Sequence, residues 1–559
     1  MGDFTFELKD RDLCAKIGVL ELGGKRIETP LFFPVVDLKH PIFRGDELRR
    51  GFKVDALFTN AYLIYKNERL KEEALNRGIH ELLGFDGVVA TDSGAYQSYV
   101  YGEVELEPSE IERFQENIGS DIAVILDLPV NLRASYEEAE RNVMETVRRA
   151  KENVKRRKRR DTLWYGPVHG ARHISLVERS AEMMSKLDFG FYALGSVVEA
   201  LANYQFDMHV DMIMAARRNL PLSRPMHIFG VGHPLFFSLP VAMGCDSFDS
   251  AAYALFAYDD RYMTEYGTTR ISDMDYFPCA CAICNSHTPR EVRDLPREER
   301  VKVLASHNLY ACTAEVRRIK EAIKEGRLWE LIEVRARSHP KLLRALLRLG
   351  NYADYVERLS PAFKGKGLFF FGSSSLARPE ITRHILKMEG NYAKPAEARF
   401  LLLLPQTEKK PFHEAHPIKE ILGVLGESGH PQAFQAAVYA VPFGIIPLEI
   451  DEVFPLSQFE IGQIDEESMD FVGKQVKDFA LRQGFEKVIL VTNGSETGSR
   501  ALRFCEEARS AAGFELLKFG YEGSWSEETK NRFINMIRQV TFAHSIHSSH
   551  RGGMAHPQP

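Results

Sequence analysis

Residues 87–94 read GVVATDSG, a short apolar run that ends in an aspartate and a glycine-containing turn. Runs of the same build recur along the chain: VDALFTN (54–60), DIAVILDLP (121–129), TLWYGPVHG (162–170), FGFYALGS (189–196), MHIFGVG (226–232) and CDSFDSAAYA (245–254). Longer charged segments lie between them, such as NVMETVRRAKENVKRRKRR (142–160), with apolar residues at helical spacing. Repeated strand-then-helix units predict parallel strands. About eight units over this length favour a closed (β/α)8 TIM barrel over an open doubly wound sheet.

At 559 residues the chain exceeds what one hydrophobic core usually supports. We therefore expect residues 1–360 to form an α/β barrel domain and 361–540 a smaller α/β accessory domain. The second contains KGLFFFGSSSLARPE, ARFLLLLPQ, FQAAVYAVPFGIIPLEI and FEKVILVTNGSE. Its TNGSETGSR (492–500) reads as a loop rather than a phosphate cradle, and the His-, Ser- and Gly-rich end, 541–559, reads as a mobile tail. There is no apolar run of about 20 residues, so no membrane span is expected. The charged start MGDFTFELKDRDLC does not resemble a secretory peptide, and the cysteine usage fits a reducing cytoplasm. Net charge is slightly negative at −6. Two basic segments, KENVKRRKRR (151–160) and RARSHPKLLRALLRLG (335–350), are each able to contact phosphate or to serve as solvated helix faces.

Cysteines cluster in one place. Cys279, Cys281 and Cys284 fall within CACAIC, and His307 follows a charged amphipathic stretch long enough for a helix that returns to them. Three thiolates and an imidazole suit tetrahedral Zn²⁺ and close all four positions, leaving no room for an activated water. One structural zinc site, inserted at about 275–310, is expected. Chemistry must then come from the C-terminal ends of the barrel strands. Asp92, Asp127 and Asp249 end three of the apolar runs, with Ser93, Gly94 and Gln97 behind the first. VHG presents His169, and ALGS presents Gly195 and Ser196. A lone aspartate after a strand is usually a helix cap. Three on strands of one barrel suit displacement at a sugar carbon, where one carboxylate attacks and another exchanges protons.

Three separated motifs, TDSGAYQ (91–97), FDSAAYALFAYDDRYMTEYGTTR (248–270) and PCACAIC…HNL (278–309), resemble the signatures of tRNA-guanine transglycosylases of the archaeal form. The resemblance spans about residues 5–355. It implies a pentosyltransferase that exchanges guanine at position 15 of tRNA for 7-cyano-7-deazaguanine (preQ0), on the way to archaeosine. By that resemblance Asp249 is the nucleophile and Asp92 the other catalytic aspartate. Asp127 reads the base edge, Tyr96 stacks on the base, and Ser93, Gln97, His169, Gly195 and Ser196 complete the base site. It also implies tRNA as partner, a homodimer and a cytoplasmic enzyme. His169 stands where the family often has glutamine, and LGS where GG is usual. Full-length archaeal members carry a C-terminal PUA domain, for which we expect no room after about residue 540; either it is absent or a separate PUA-domain subunit supplies it.

The second region resembles the core domain of archaeosine synthase, the paralogue that adds lysine to preQ0 in tRNA. Lys410 and Pro411 of its motif remain, whereas Gln406, Phe412, Ala415 and Ile418 replace its cysteine, tyrosine, serine and histidine. A thiol is the natural group to activate a nitrile. Lysine transfer is therefore the alternative reading, and a non-catalytic accessory role the expected one.

Overall fold

The computed structural model describes residues 4–95, 106–159, 161–462, 464–521 and 525–549. The chain divides into two compact units, residues 1–361 and 362–559. In the first, eight parallel strands close into a barrel in chain order. They are Leu31–Val36 (β1), Ala56–Asn60 (β2), Val88–Asp92 (β3), Ile122–Val124 (β4), Leu163–Val168 (β5), Phe191–Leu194 (β6), Met226–Ile228 (β7) and Ser247–Ser250 (β8). β8 closes onto β1 with Asp249 opposite Phe33. Helices pack between strands, among them Tyr136–Arg156, which starts where the Ser135 side chain accepts from the Glu138 N–H.

Side chains alternate along a strand, so every second residue points into the barrel. Phe33, Phe58, Ala90, Val124, Tyr165 and Ala193 share one buried cluster, joined by Leu20, Leu22 and Ile27 of an N-terminal antiparallel sheet. Phe58 lies at its centre, with ring centroids 6.1 Å from Phe33 and Tyr165 and 6.0 Å from His227. Continued by two residues, the same alternation brings Asn60, Asp92 and Asp249 to the inner face at the C-terminal rim. The apolar filling is thereby capped by a polar layer.

The segment after the barrel forms a hairpin, Arg261–Thr264 with Gly267–Arg270, and then helices Ala282–Ser286, Pro289–Asp294 and Arg297–Glu325. One helix was expected before His307. Pro296 divides it in two, because the residue before a proline is pushed out of helical geometry; Leu295 sits at φ −66°, ψ 148°.

The basic segments are less free than their composition suggests. Arg156 binds Glu112 at 2.8 Å, Arg157 donates to Asn153 and to the Asp188 carbonyl, and Arg159 donates to the Glu116 carbonyl. Arg335 forms a buried two-bond pair with Glu315 at 2.7 and 2.8 Å, while Arg344 and Arg348 pair with Asp207 and Asp211. Arg156, Arg335, Arg344 and Arg348 join helices to one another, since their acidic partners stand on neighbouring helices.

The second unit holds a five-stranded sheet in the order Gly444–Pro447, Phe434–Ala440, Phe400–Pro405, Lys487–Thr492, Glu515–Gly520. Its first pair is antiparallel and the others are parallel. TNGSETGSR is only partly a loop: Ser495 accepts from the Gly498 N–H at 3.2 Å and opens the helix Glu496–Ala512. The last helix, Glu527–Ser549, runs past residue 540, so the segment read as a tail is helical at its start; residues 550–559 lie outside the described residues. Phe58→Ala should destabilise the chain by about 3–5 kcal/mol through the cavity it leaves, measured as a lower urea midpoint.

Candidate functional site

Asp92 ends β3, and Asp249 lies one residue before the end of β8. Asp92 Oδ2 accepts from Asn60 Nδ2 at 3.0 Å, and the backbone N–H groups of Ser93 and Gly94 also donate to its carboxylate. Burial, followed by the negative charges of Asp127 and Asp249, raises Asp92 from 3.8 to about 7. Asp127 and Asp249 therefore both lie close enough to act on Asp92 at one end of the barrel. Ser93 faces away from the opening: it is buried, and its hydroxyl donates to the Ile125 carbonyl at 2.8 Å, tying β3 to the segment after β4.

Asp249 is held through one oxygen. Its Oδ1 accepts from His227 Nε2 at 3.0 Å and from the Gly230 N–H at 3.1 Å. His227 is buried mid-strand in β7, directly beside Ser247 of β8, whose Oγ is 2.9 Å from His227 Nδ1. The Tyr165 hydroxyl stands 3.5 Å from the same nitrogen, and burial keeps that phenol protonated by raising it well above its usual value. Oδ2 of Asp249 accepts no hydrogen bond from a described residue and is free to face a ligand.

Asp127 is built in the same way. Its Oδ2 lies 2.6 Å from His169 Nε2, and His169 Nδ1 lies 2.9 Å from Ser196 Oγ. Ser196 Oγ also accepts from the Val130 N–H at 2.8 Å. Gly195 allows the arrangement, because a Cβ there would lie 2.4 Å from His169 Cε1. The base-site candidates Asp127, His169, Gly195 and Ser196 are thus gathered with Asp92 and Asp249. Tyr96 and Gln97 lie outside the described residues. The sequence reading missed His227 and Asn60. Asn60 ends VDALFTN as Asp92 ends GVVATD, so the strand-end rule reaches it. His227 gave no such signal, since a histidine inside a strand reads as core.

Cys279, Cys281, Cys284 and His307 bring four ligand atoms within 4.8 Å of one another, a donor set suited to a metal ion. Cys281 and Cys284 Sγ stand 3.6 and 3.3 Å from His307 Nδ1. The other ring nitrogen, Nε2, donates to the Met263 carbonyl at 2.8 Å, which leaves the Nδ1 lone pair directed at the thiols. The Tyr262 ring stacks on His307 at 3.6 Å, and its hydroxyl lies 3.3 Å from Cys284 Sγ.

A barrel crowned by carboxylates, with a thiol-rich cluster behind it, matches known proteins over most of its length. The queuine tRNA-ribosyltransferase family model covers residues 11–341, more than half of the chain. The chain belongs to that family. A second model, a domain of unknown function (DUF5591), covers residues 381–539. Among queuine tRNA-ribosyltransferase relatives, the tRNA-guanine(15) transglycosylase of Methanocaldococcus jannaschii is 41% identical over 484 residues, which is 85% of this chain and 71% of the relative. The protein of the same name from Methanococcus vannielii is 40% identical over 492 residues, 87% of this chain and 73% of its own length. That of Pyrococcus furiosus is 44% identical over 396 residues, 70% and 66% of the two chains.

Asp92 generates a pH signature. Its raised affinity means that the folded chain keeps the proton up to about 7 while the unfolded chain releases it near 3.8. Stability therefore falls as pH rises through that window, and the penalty persists above it. Asp92→Asn should raise the melting temperature at roughly pH 8 and give no gain near pH 4; equal shifts at both pH values would contradict the assignment.

Proposed function

We propose that the chain exchanges guanine in the tRNA D-loop, at position 15, for 7-cyano-7-deazaguanine through a covalent glycosyl-enzyme. The observation that carries this reading is the pairing of Asp249, anchored through Oδ1 alone, with Asp92, whose proton affinity is raised to about 7. Oδ2 of Asp249 forms a bond to C1′ as the C1′–N9 bond breaks. Asp92, protonated near neutral pH, gives its proton to the departing guanine. The incoming base then attacks C1′, returns a proton to Asp92 and releases the Asp249 carboxylate. One glycosidic bond replaces another, so no nucleotide hydrolysis is needed. An internal nucleotide must leave its stack to reach the barrel mouth. There Asp127 accepts from its ring N–H and exocyclic amine, with Tyr96, Gln97, Gly195 and Ser196 completing the base site, while Ser93 faces away from the opening and His169 stands behind Asp127.

We assign the metal as one Zn²⁺ with a structural role. Tetrahedral Zn–S and Zn–N bonds imply ligand separations of about 3.5–3.8 Å, and the Cys281–His307 and Cys284–His307 distances of 3.6 and 3.3 Å are compatible with that. Four protein ligands leave no open position, so zinc would hold the cysteine segment and the long helix together and take no part in the displacement. The proposal extends to a cytoplasmic homodimer. The segment leading into the cysteines supports a dimer with exposed Leu255, Tyr258, Tyr266 and Tyr276. Among the described residues no helix is long and apolar enough to cross a membrane.

Lysine addition to preQ0, the alternative, is disfavoured by the second unit. Phe412, Ala415 and Ile418 are buried, and the Gln406 side chain accepts from the Val441 N–H at 2.8 Å. No thiol stands in that motif, so nothing there activates a nitrile.

Asp249→Asn should abolish incorporation of labelled guanine into tRNA while leaving folding and metal content intact; undiminished exchange would refute the nucleophile. Cys281→Ser should instead lower metal content and melting temperature, with exchange lost only as the fold is lost.

A further inference from the structure

His169 was expected to meet the base, yet both of its ring nitrogens are engaged. Nε2 is bound to Asp127 and Nδ1 to Ser196, and the ring is 1% exposed. A carboxylate only accepts, so Nε2 carries a proton; in the neutral ring Nδ1 then accepts from the Ser196 hydroxyl. Ser196 Oγ meanwhile accepts from Val130, three residues along the loop that carries Asp127. That loop is fixed again at Leu128, whose N–H donates to Thr146 Oγ1 at 3.0 Å, and at Pro129, whose carbonyl accepts from Asn142 Nδ2 at 3.2 Å. Asp127 keeps Oδ1 without a hydrogen bond from any described residue.

A second, independent observation concerns the backbone. Ser196 sits at φ +61°, in the left-handed region where glycine is at ease and a serine is strained. A strained residue that persists in a site points to its side chain being used. Here the hydroxyl bonds both the imidazole and the Asp127 loop.

We propose that His169 and Ser196 act as positioning residues that lock the Asp127 carboxylate into a single orientation, and that this lock sets the preference for a base edge presenting two adjacent N–H donors. The proposal rests on the reading of Asp127 as the base-reading group. With Oδ2 oriented by the imidazole and Oδ1 open, the carboxylate faces such an edge as a fixed pair of acceptors. A base lacking the exocyclic amine leaves one acceptor unmatched. Loosening the lock lets Asp127 turn away, which weakens binding of the full edge most and so erodes discrimination.

Ser196→Gly tests this, because it removes the hydroxyl while suiting the backbone. Exchange of labelled guanine into tRNA would be measured with unlabelled guanine and hypoxanthine as competitors, alongside thermal melts. The melting temperature should hold or rise. KM for guanine should rise by about tenfold, more than kcat falls, and the preference for guanine over hypoxanthine should shrink by about tenfold. His169→Gln, whose amide can both donate to Asp127 and accept from Ser196, should retain most of the preference. A merely structural serine predicts the reverse pattern, with reduced melting temperature and kcat and unchanged preference; that result, or an unchanged KM in Ser196→Gly, would overturn the lock. Asp127→Asn separates the two levels. If it keeps the guanine preference, the base-reading role of Asp127 is wrong and the lock falls with it. If it loses the preference while Ser196→Gly keeps it, the lock alone is wrong.

Discussion

Three carboxylates share the C-terminal rim of one barrel, and their mutual repulsion in a desolvated setting is the constraint that the surrounding structure satisfies. Isolated buried carboxylates are costly unless they are protonated or hydrogen-bonded. This chain uses both remedies. Asp92 gains affinity for a proton, its value raised to about 7 by burial and by its two neighbours. Asp249 and Asp127 instead each receive an imidazole N–H, from His227 and His169. Each imidazole is in turn within hydrogen-bonding distance of a serine hydroxyl, Ser247 or Ser196. The function proposed above draws on this arrangement, with Asp92 as the acid and Asp249 as the nucleophile.

Much of this was legible in the sequence because it follows from period and position. GVVATD and CDSFD end in carboxylates at the strand ends where a barrel exposes its inner face, and the cysteine spacing implied a metal before any fold was known. What escaped was what barrel closure brings together. His227 reads as an ordinary core residue in MHIFGVG; its role appears only when β7 pairs with β8 and sets it beside Ser247 and Asp249. Arg156, Arg157 and Arg159 looked available to phosphate, yet Glu112, Asn153 and the Asp188 and Glu116 carbonyls engage them. Composition cannot reveal partners that tertiary structure supplies from other helices. Pro296 was visible, but its effect was underread, and the charged stretch before His307 became two helices.

The two units solve different problems. The first places polar groups over an apolar barrel, and its thiol cluster gathers the cysteine segment at His307 of the long helix. In the second, the positions corresponding to a nitrile-activating motif are filled by Phe412, Ala415 and Ile418, all buried. Those residues contribute apolar packing, and Gln406, at the position of the motif's thiol, accepts from the Val441 N–H. The division agrees with chemistry confined to the barrel.

The most direct test of the central claim is chemical. The chain would be mixed with tRNA in the absence of free base, quenched in denaturant, digested, and its peptides searched by mass spectrometry for a ribosyl ester. The account predicts the ester on Asp249, with one equivalent of guanine released. An ester on Asp92 or Asp127, or guanine release with no ester on Asp249, would contradict it.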